Sequence, residues 1–273
     1  MIDIKLLIIS VAVMAALGTL IGIGLSFAYR KLKVEEDPNL KKILETLPGL
    51  NCGACGYASC EEFAKNLKEG KTPLDGCKVG GEKLAKELKS LLGKGKTSKK
   101  DNKKARLKCN ATNDQKTKTV DYKGFKNCQA SDALGSSGFM CFEGCLGFGD
   151  CAEVCPVSAI EIKEGSPQIN LNKCIGCGLC IEACPRDLID VVNLKESQEA
   201  LIVVGCNCTQ TGTVTGKMCK AGCIACGKCI KVCPVDAIKI ENSKAIINPL
   251  KCIACRKCVE ACPTGAIYLI KKT

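Results

Sequence analysis

Cys223-x2-Cys226-x2-Cys229-x3-Cys233-Pro234 and Cys252-x2-Cys255-x2-Cys258-x3-Cys262-Pro263 set thiols at the spacing of iron–sulfur ligands. In such paired runs the first three thiolates hold one cubane and the fourth reaches the neighbouring one. Cys262 therefore completes the set of Cys223, Cys226 and Cys229, and Cys233 that of Cys252, Cys255 and Cys258. The chemistry on offer is one-electron transfer. Twenty of the 25 cysteines fall into runs of this kind in a long, lysine-rich chain, which does not suit a disulfide scaffold. Zinc prefers two C-x2-C halves separated by a loop. With no histidine in the chain, Rieske ligation and histidine-dependent Ser or Cys triads are excluded.

The same pattern occurs earlier at a constant offset of 78 residues. Cys145, Cys151, Cys155, Cys174, Cys177, Cys180 and Cys184 recur as Cys223, Cys229, Cys233, Cys252, Cys255, Cys258 and Cys262, which marks a duplication. Cys155 closes the set of Cys174, Cys177 and Cys180, while Cys184 belongs with Cys145 and Cys151. One position breaks the repeat, because Phe148 stands where the second copy has Cys226. Cys141 is the nearest replacement and is the expected fourth ligand, with a three-ligand [3Fe–4S] cluster as the alternative. Cys128 and Cys141 also recur at this offset, as Cys206 and Cys219, whereas Cys109 and Cys208 have no counterpart. Cys109, Cys128, Cys206, Cys208 and Cys219 are either ligands of an additional cluster or inert apolar thiols.

Nearer the N-terminus, Cys52-x2-Cys55-x4-Cys60 is followed by Cys77. Gly53 and Gly56 allow close backbone approach to a cluster, and a helix carrying Phe63 and Leu67 brings in the fourth thiol. One [4Fe–4S] cluster is expected here, a zinc knuckle being the competing reading. Flanking helices are predicted over Pro38 to Leu47 and over Glu82 to Leu92, with Leu84, Leu88 and Leu91 on one face.

The elements that must position these thiols follow from composition and patterning. Leu6 to Tyr29 carries no charge and as a helix would span about 36 Å, more than the roughly 30 Å hydrocarbon core. It is predicted to be a membrane anchor, and its lack of a small-residue cleavage site sets it apart from a signal peptide. Arg30, Lys31 and Lys33 follow it and only Lys5 precedes it, which predicts cluster domains on the cytoplasmic side of the cell membrane. Gly18-x3-Gly22 offers a surface for another membrane helix. Aromatic residues make up 4% and tryptophan is absent, so clusters must supply part of the stability that large cores would provide. The formal charge of +12 is offset by about −10 if five thiolate-ligated clusters bind. No nucleic-acid motif accompanies the lysines. The expected layout is an anchor at 1–33, a small helical [4Fe–4S] domain at 34–92, a basic flexible linker at 93–105, and ferredoxin-like modules at 106–200 and 201–273. The fold class is α+β, with at least five [4Fe–4S] clusters.

Leu47-Pro48-Gly49-Leu50-Asn51-Cys52-Gly53-Ala54-Cys55-Gly56-Tyr57 resembles the N-terminal iron–sulfur domain of the B component of Rnf-type ion-translocating electron transport complexes. The resemblance extends over the whole chain, in the long arrangement with two ferredoxin modules. Ser59 stands where glycine is usual, and Val79 where proline is common. The resemblance implies electron exchange with soluble ferredoxin and relay towards integral membrane partners. It also implies flavin and nicotinamide sites on other subunits, within a ferredoxin:NAD+ oxidoreductase that moves sodium ions or protons. No GxGxxG fingerprint or P-loop occurs in this chain. The competing expectations are a membrane-tethered polyferredoxin serving a hydrogenase or another reductase, and a non-redox zinc scaffold.

Overall fold

The computed structural model describes residues 4–32, 37–93, 102–135, 138–194 and 200–271. Lys33 of the expected anchor flank and residues 94–101 of the expected linker lie outside them. The chain divides into two compact units, 1–43 and 44–273.

In the first unit, α1 (Ile4–Leu32) is long and apolar enough to cross a membrane, with mean hydropathy 2.1 over Val11–Lys31. Its hydroxyl at Thr19 bonds back to the carbonyls of Ala15 and Ala16, both at 2.9 Å, so that donor is satisfied within the helix. Next comes α2 (Pro38–Thr46), which opens on proline at its first position, with the Asp37 carboxylate accepting from the Asn39 amide at 2.9 Å.

In the second unit, α3 (Cys60–Lys68) starts where the Ser59 side chain accepts the Glu62 amide and the Glu62 carboxylate accepts the Ala58 amide. Ser59, the departure from glycine, thus serves as a helix cap. Phe63, Ala64 and Leu67 form the buried face of α3, and Leu84 and Leu88 that of α4 (Gly81–Leu92). Leu91, expected on that face, is 49% exposed.

Each ferredoxin module is then a strand, a short helix, a second short helix, a hairpin, a third short helix and a closing strand. The first consists of β1 (Lys103–Leu107), α5 (Cys128–Ala133), α6 (Asp150–Glu153), β2 (Ile160–Lys163), β3 (Ser166–Ile169), α7 (Leu179–Glu182) and β4 (Ile189–Asn193). The second consists of β5 (Ala200–Val204), α8 (Gly212–Met218), α9 (Lys228–Lys231), β6 (Ile238–Glu241), β7 (Lys244–Ile247), α10 (Lys257–Glu260) and β8 (Ile267–Lys271). The antiparallel pairs are β1–β4, β2–β3, β5–β8 and β6–β7. The hairpins turn on Glu164-Gly165 and Asn242-Ser243, all at positive φ, the geometry that matches strand twist in a two-residue loop.

Two expected boundaries shift. Lys103 to Ala105, assigned to the linker by their charge, begin β1, where the Lys104 ammonium donates to the Cys174 carbonyl at 2.6 Å. Ala200 pairs with Lys271 and so belongs to the second module. The modules are fused: Leu171, Val192 and Leu194 share one buried cluster with Leu201 and Val203, and the Tyr268 hydroxyl donates to the Leu107 carbonyl at 2.8 Å. Burial pushes the Tyr268 phenol well above its usual value.

Candidate metal centres

Cys52, Cys55, Cys60 and Cys77 line a cavity of about 380 Å³ together with Leu47, Leu50 and Phe63. Asn51, Gly53 and Gly56 take positive φ around it, and the Asn51 side chain accepts the Cys60 amide at 2.8 Å. Burial raises the Cys77 thiol, while the Gly80 and Val79 amides hydrogen bond to it and oppose the rise. Proline at position 79 would have no such N–H. This departure from the usual pattern adds a donor to the site.

The regular sites of the modules are built by one repeated device. The third cysteine of each run, Cys151, Cys180, Cys229 or Cys258, is buried in a one-turn helix whose preceding residue is left-handed: Gly149, Gly178, Gly227 and Arg256. After each Cys-Pro, a residue at positive φ (Ser158, Asp187, Asp236 or Gly265) turns the chain back. At three of these turns the next amide then reaches the cysteine sulfur: Ala159 to Cys155 at 3.2 Å, Leu188 to Cys184 at 3.4 Å and Ala237 to Cys233 at 3.3 Å. Further bonds run from Ala105 to Cys174 and from Ala245 to Cys223, both at 3.4 Å. Backbone donors aimed at sulfur favour the thiolate over the thiol.

Cys223, Cys226, Cys229 and Cys262 line one cavity of about 320 Å³, and Cys233, Cys252, Cys255 and Cys258 another of about 300 Å³. In the first module Cys155, Cys174 and Cys177 all act electrostatically on Cys180, so these sulfurs are neighbours. Cys145, Cys151 and Cys184 meet in a cavity of about 380 Å³, but the fourth thiol there is Cys128, not Cys141. The reason is local. Asn127 caps α5, and the Asp150 carboxylate accepts the Cys128 amide at 2.8 Å and the Gln129 amide at 3.2 Å, which fastens the N-terminus of α5 to the turn carrying Cys151. Phe148 instead meets Tyr122, ring to ring at 5.5 Å. In the sequence Asp150 replaces Lys228 of the second copy and Asn127 is a capping residue just before Cys128, but only the contact between α5 and the Cys151 turn ties the two together.

Cys141 lies with Cys109, Cys206, Cys208 and Cys219 around a further cavity of about 370 Å³. Strand register also corrects a counterpart. Leu107 pairs with Ile189 as Val204 pairs with Ile267, so Cys109, two residues beyond β1, matches Cys206, two residues beyond β5.

Burial pushes the Cys145, Cys151 and Cys180 thiols up to about 12 and Cys258 to about 11, each helped by neighbouring sulfurs. A bound metal cation favours the thiolate form of such thiols, since ligation requires loss of the proton. Among the described residues no group of three or more Cys, Asp or Glu is gathered for a single metal ion, and all 25 cysteines are free. Four soft sulfur donors gathered around one cavity suit an iron–sulfur core.

Known proteins carry the same kinds of site. An Fe–S cluster family model matches residues 47–79, a 4Fe-4S dicluster domain model matches residues 173–237 and 222–266, and an LdpA Fe-S cluster-binding domain model matches residues 149–195. The chain is 36% identical over 61% of its length to the B component of an ion-translocating oxidoreductase complex of Methanosarcina acetivorans, covering 63% of that protein. It is 35% identical over 78% of its length to the B component of the Na(+)-translocating ferredoxin:NAD(+) oxidoreductase complex of Acetobacterium woodii, again covering 63%. A Clostridium ljungdahlii protein named as the B component of the proton-translocating ferredoxin:NAD(+) oxidoreductase complex is 32% identical over 60% of this chain, with 58% of its own length covered. The chain thus spans a little under two thirds of these relatives. It contains 4Fe-4S cluster domains and, among the described residues, one apolar helix long enough to cross a membrane.

Proposed function

We propose, from the similarity to the B components of ion-translocating oxidoreductase complexes, that this chain belongs with them and is the electron-relay subunit of such a complex. It would accept electrons from reduced ferredoxin and hand them on through its clusters. The observation that carries this reading is the recurrence of four-cysteine sites, each gathered around a common cavity or as neighbouring sulfurs, along one chain.

The ligand sets are Cys52, Cys55, Cys60, Cys77; Cys128, Cys145, Cys151, Cys184; Cys155, Cys174, Cys177, Cys180; Cys223, Cys226, Cys229, Cys262; and Cys233, Cys252, Cys255, Cys258. When bound, a [4Fe–4S] core at each set supplies reversible one-electron chemistry. The protein holds the core by thiolate, tunes it with N–H···S bonds such as that from Ala237 to Cys233, and keeps water away with Leu188, Ile238 and Ile267.

Electron uptake is assigned to the second module. Of the 25 cysteines, Cys226 and Cys255 alone are exposed, and exposed Lys228, Lys231, Lys251, Arg256 and Lys257 stand near them in the chain. The corresponding positions of the first module are Asp150, Glu153, Lys173, Gly178 and Leu179. A basic rim steers an acidic carrier such as a ferredoxin. Arg30 and Lys31 at the C-terminal end of α1 favour the cytoplasmic side for the clusters, and membrane and flavin-bearing subunits of the complex would receive the electrons.

Anaerobic isolation of the membrane complex tests the partners. Recovery with multispanning and flavin-bearing subunits is expected, whereas recovery with a hydrogenase would transfer the chain to the polyferredoxin reading. Reversing the charge at Lys228, Lys231 and Lys257 should slow reduction by ferredoxin at least tenfold at low salt and much less at high salt. An unchanged rate would remove the second module as the docking site.

A further inference from the structure

Cys109, Cys141, Cys206, Cys208 and Cys219 enclose a cavity of about 370 Å³, as large as those of the four-cysteine sites at about 300 to 380 Å³. These residues come from both modules, and their packing crosses the seam. Cys219 belongs to the buried cluster of the first module, and Cys141 packs against that of the second. Electrostatic neighbours link them in a ring: Cys141 feels Cys208 and Cys109, and Cys219 feels Cys109 and Cys208. Cys206 acts on Cys141 but has its own anchors, the backbone amides of Cys223 and Cys208.

Two further features favour a charged inorganic core over five idle thiols. The cavity is walled by Lys116, 6% exposed, whose ammonium donates to the carbonyls of Cys145 and Gly165 at 2.9 and 3.4 Å and sits 5.1 Å from the Phe139 ring centroid. A buried ammonium held by neutral acceptors is costly unless negative charge lies close by; the Glu143 carboxylate lines the same cavity, held by Thr209, and a thiolate-ligated cluster would add further negative charge there. In addition, the Thr215 hydroxyl donates to the Cys208 sulfur at 3.4 Å, and the Glu143 amide bonds to Cys141. Sulfur-directed donors are the same device that serves the other sites.

We propose, resting on the cluster reading above, that Cys109, Cys141, Cys208 and Cys219 hold a sixth [4Fe–4S] cluster at the seam of the two modules and that it carries electrons between them. The seam is wired on both sides. The Cys145 amide donates to the Cys109 sulfur at 3.2 Å, and the matching Cys223 amide bonds to Cys206, the pseudo-equivalent of Cys109. Cys145 and Cys223 hold the same place, offset by 78 residues, in the ligand runs of the two modules. The step is a one-electron exchange: as the donor cluster is oxidised by one electron, the seam cluster is reduced by one, and the reverse pair of changes passes the electron on. No bond is broken and no proton is required.

The test is iron and acid-labile sulfide on the anaerobically purified full chain. About 24 irons per chain are expected, against about 20 if only five clusters bind. Cys109→Ser, Cys141→Ser, Cys208→Ser and Cys219→Ser should each lose about four irons and keep about 20, while Cys206→Ser should keep about 24. In the four variants, electrons delivered to the second module should reach the first at least tenfold more slowly by rapid-freeze EPR. A wild-type count of about 20, zinc bound at the seam, or counts unmoved by the four substitutions would overturn the proposal while leaving the five-cluster reading intact. Iron-free protein would instead defeat that reading itself. Should a variant fail to fold, the wild-type count still decides.

Discussion

At the scale of single residues, ligand choice turns on Cys128 and Phe148. Cys128→Ser should cost one cluster, about four irons, and the double variant with Phe148→Cys should recover it, because the regular motif is then restored as in Cys226 of the second module. Iron content and EPR on both variants check this; failure of the double variant to recover iron would leave Phe148 outside ligand geometry. Protonation acts through the same thiols. Burial holds Cys141, Cys145, Cys151 and Cys180 at about 12 against an ordinary 9.0. In the iron-free chain this raised value favours the folded form fully below 9.0, an advantage lost as the pH rises from there towards about 12. Cluster binding has the opposite sign, since every ligating thiol must release its proton. Chelator-driven iron loss should therefore accelerate as the pH falls from about 8 to about 6, and a pH-independent rate would contradict protonation as the controlling step. The regular groupings of four cysteines, the proposed ligand sets, were legible because their spacing is short and local. Cys128 was not, because it is brought in by a carboxylate more than twenty positions along the chain, at Asp150.

At the scale of elements, the one-turn helices are set by left-handed residues and the ligand-bearing α5 by its cap. Arg256 occupies, at φ 66°, the position that Gly149, Gly178 and Gly227 fill in the other three runs. A side chain in that conformation costs about 1 kcal/mol that glycine does not pay. Arg256→Gly should slow thermal bleaching of the second module, and faster bleaching would show that the arginine side chain contributes more than its backbone costs. Asp150→Ala removes both acceptors at the start of α5 and should destabilise that segment by about 1–2 kcal/mol. The expected readout is selective lability of the cluster at Cys128, with the second module unaffected. Sequence periodicity located α2, α3 and α4, since each has a clear apolar face or a breaker beside it. It missed β1, whose Lys103-Lys104 start reads as linker until pairing with β4 and the contact to Cys174 are seen. Long-range pairing of terminal strands leaves no local mark.

At the scale of the whole molecule, clusters and small apolar groups share the task of holding the chain together. The buried set of the modules is rich in Cys, Ala, Ile and Leu and poor in aromatics, so cluster ligation is expected to supply much of the folding free energy. Iron removal under anaerobic, reducing conditions should abolish the near-UV and far-UV signature of the modules while α1 stays helical in detergent; retained module structure would show that the apolar core suffices. The duplication was legible from the offset of 78 residues, whereas the seam between its copies was not, because Cys109 and Cys206 match through strand register and not through that offset. The proposed passage of ferredoxin electrons along the clusters underlies the rest. Its most direct test is to mix the anaerobically purified full chain with reduced ferredoxin and follow the clusters by rapid-freeze EPR. Reduced-cubane signals are expected first from the second module and then from the first. Colourless protein, or clusters that dithionite reduces and ferredoxin does not, would contradict the relay.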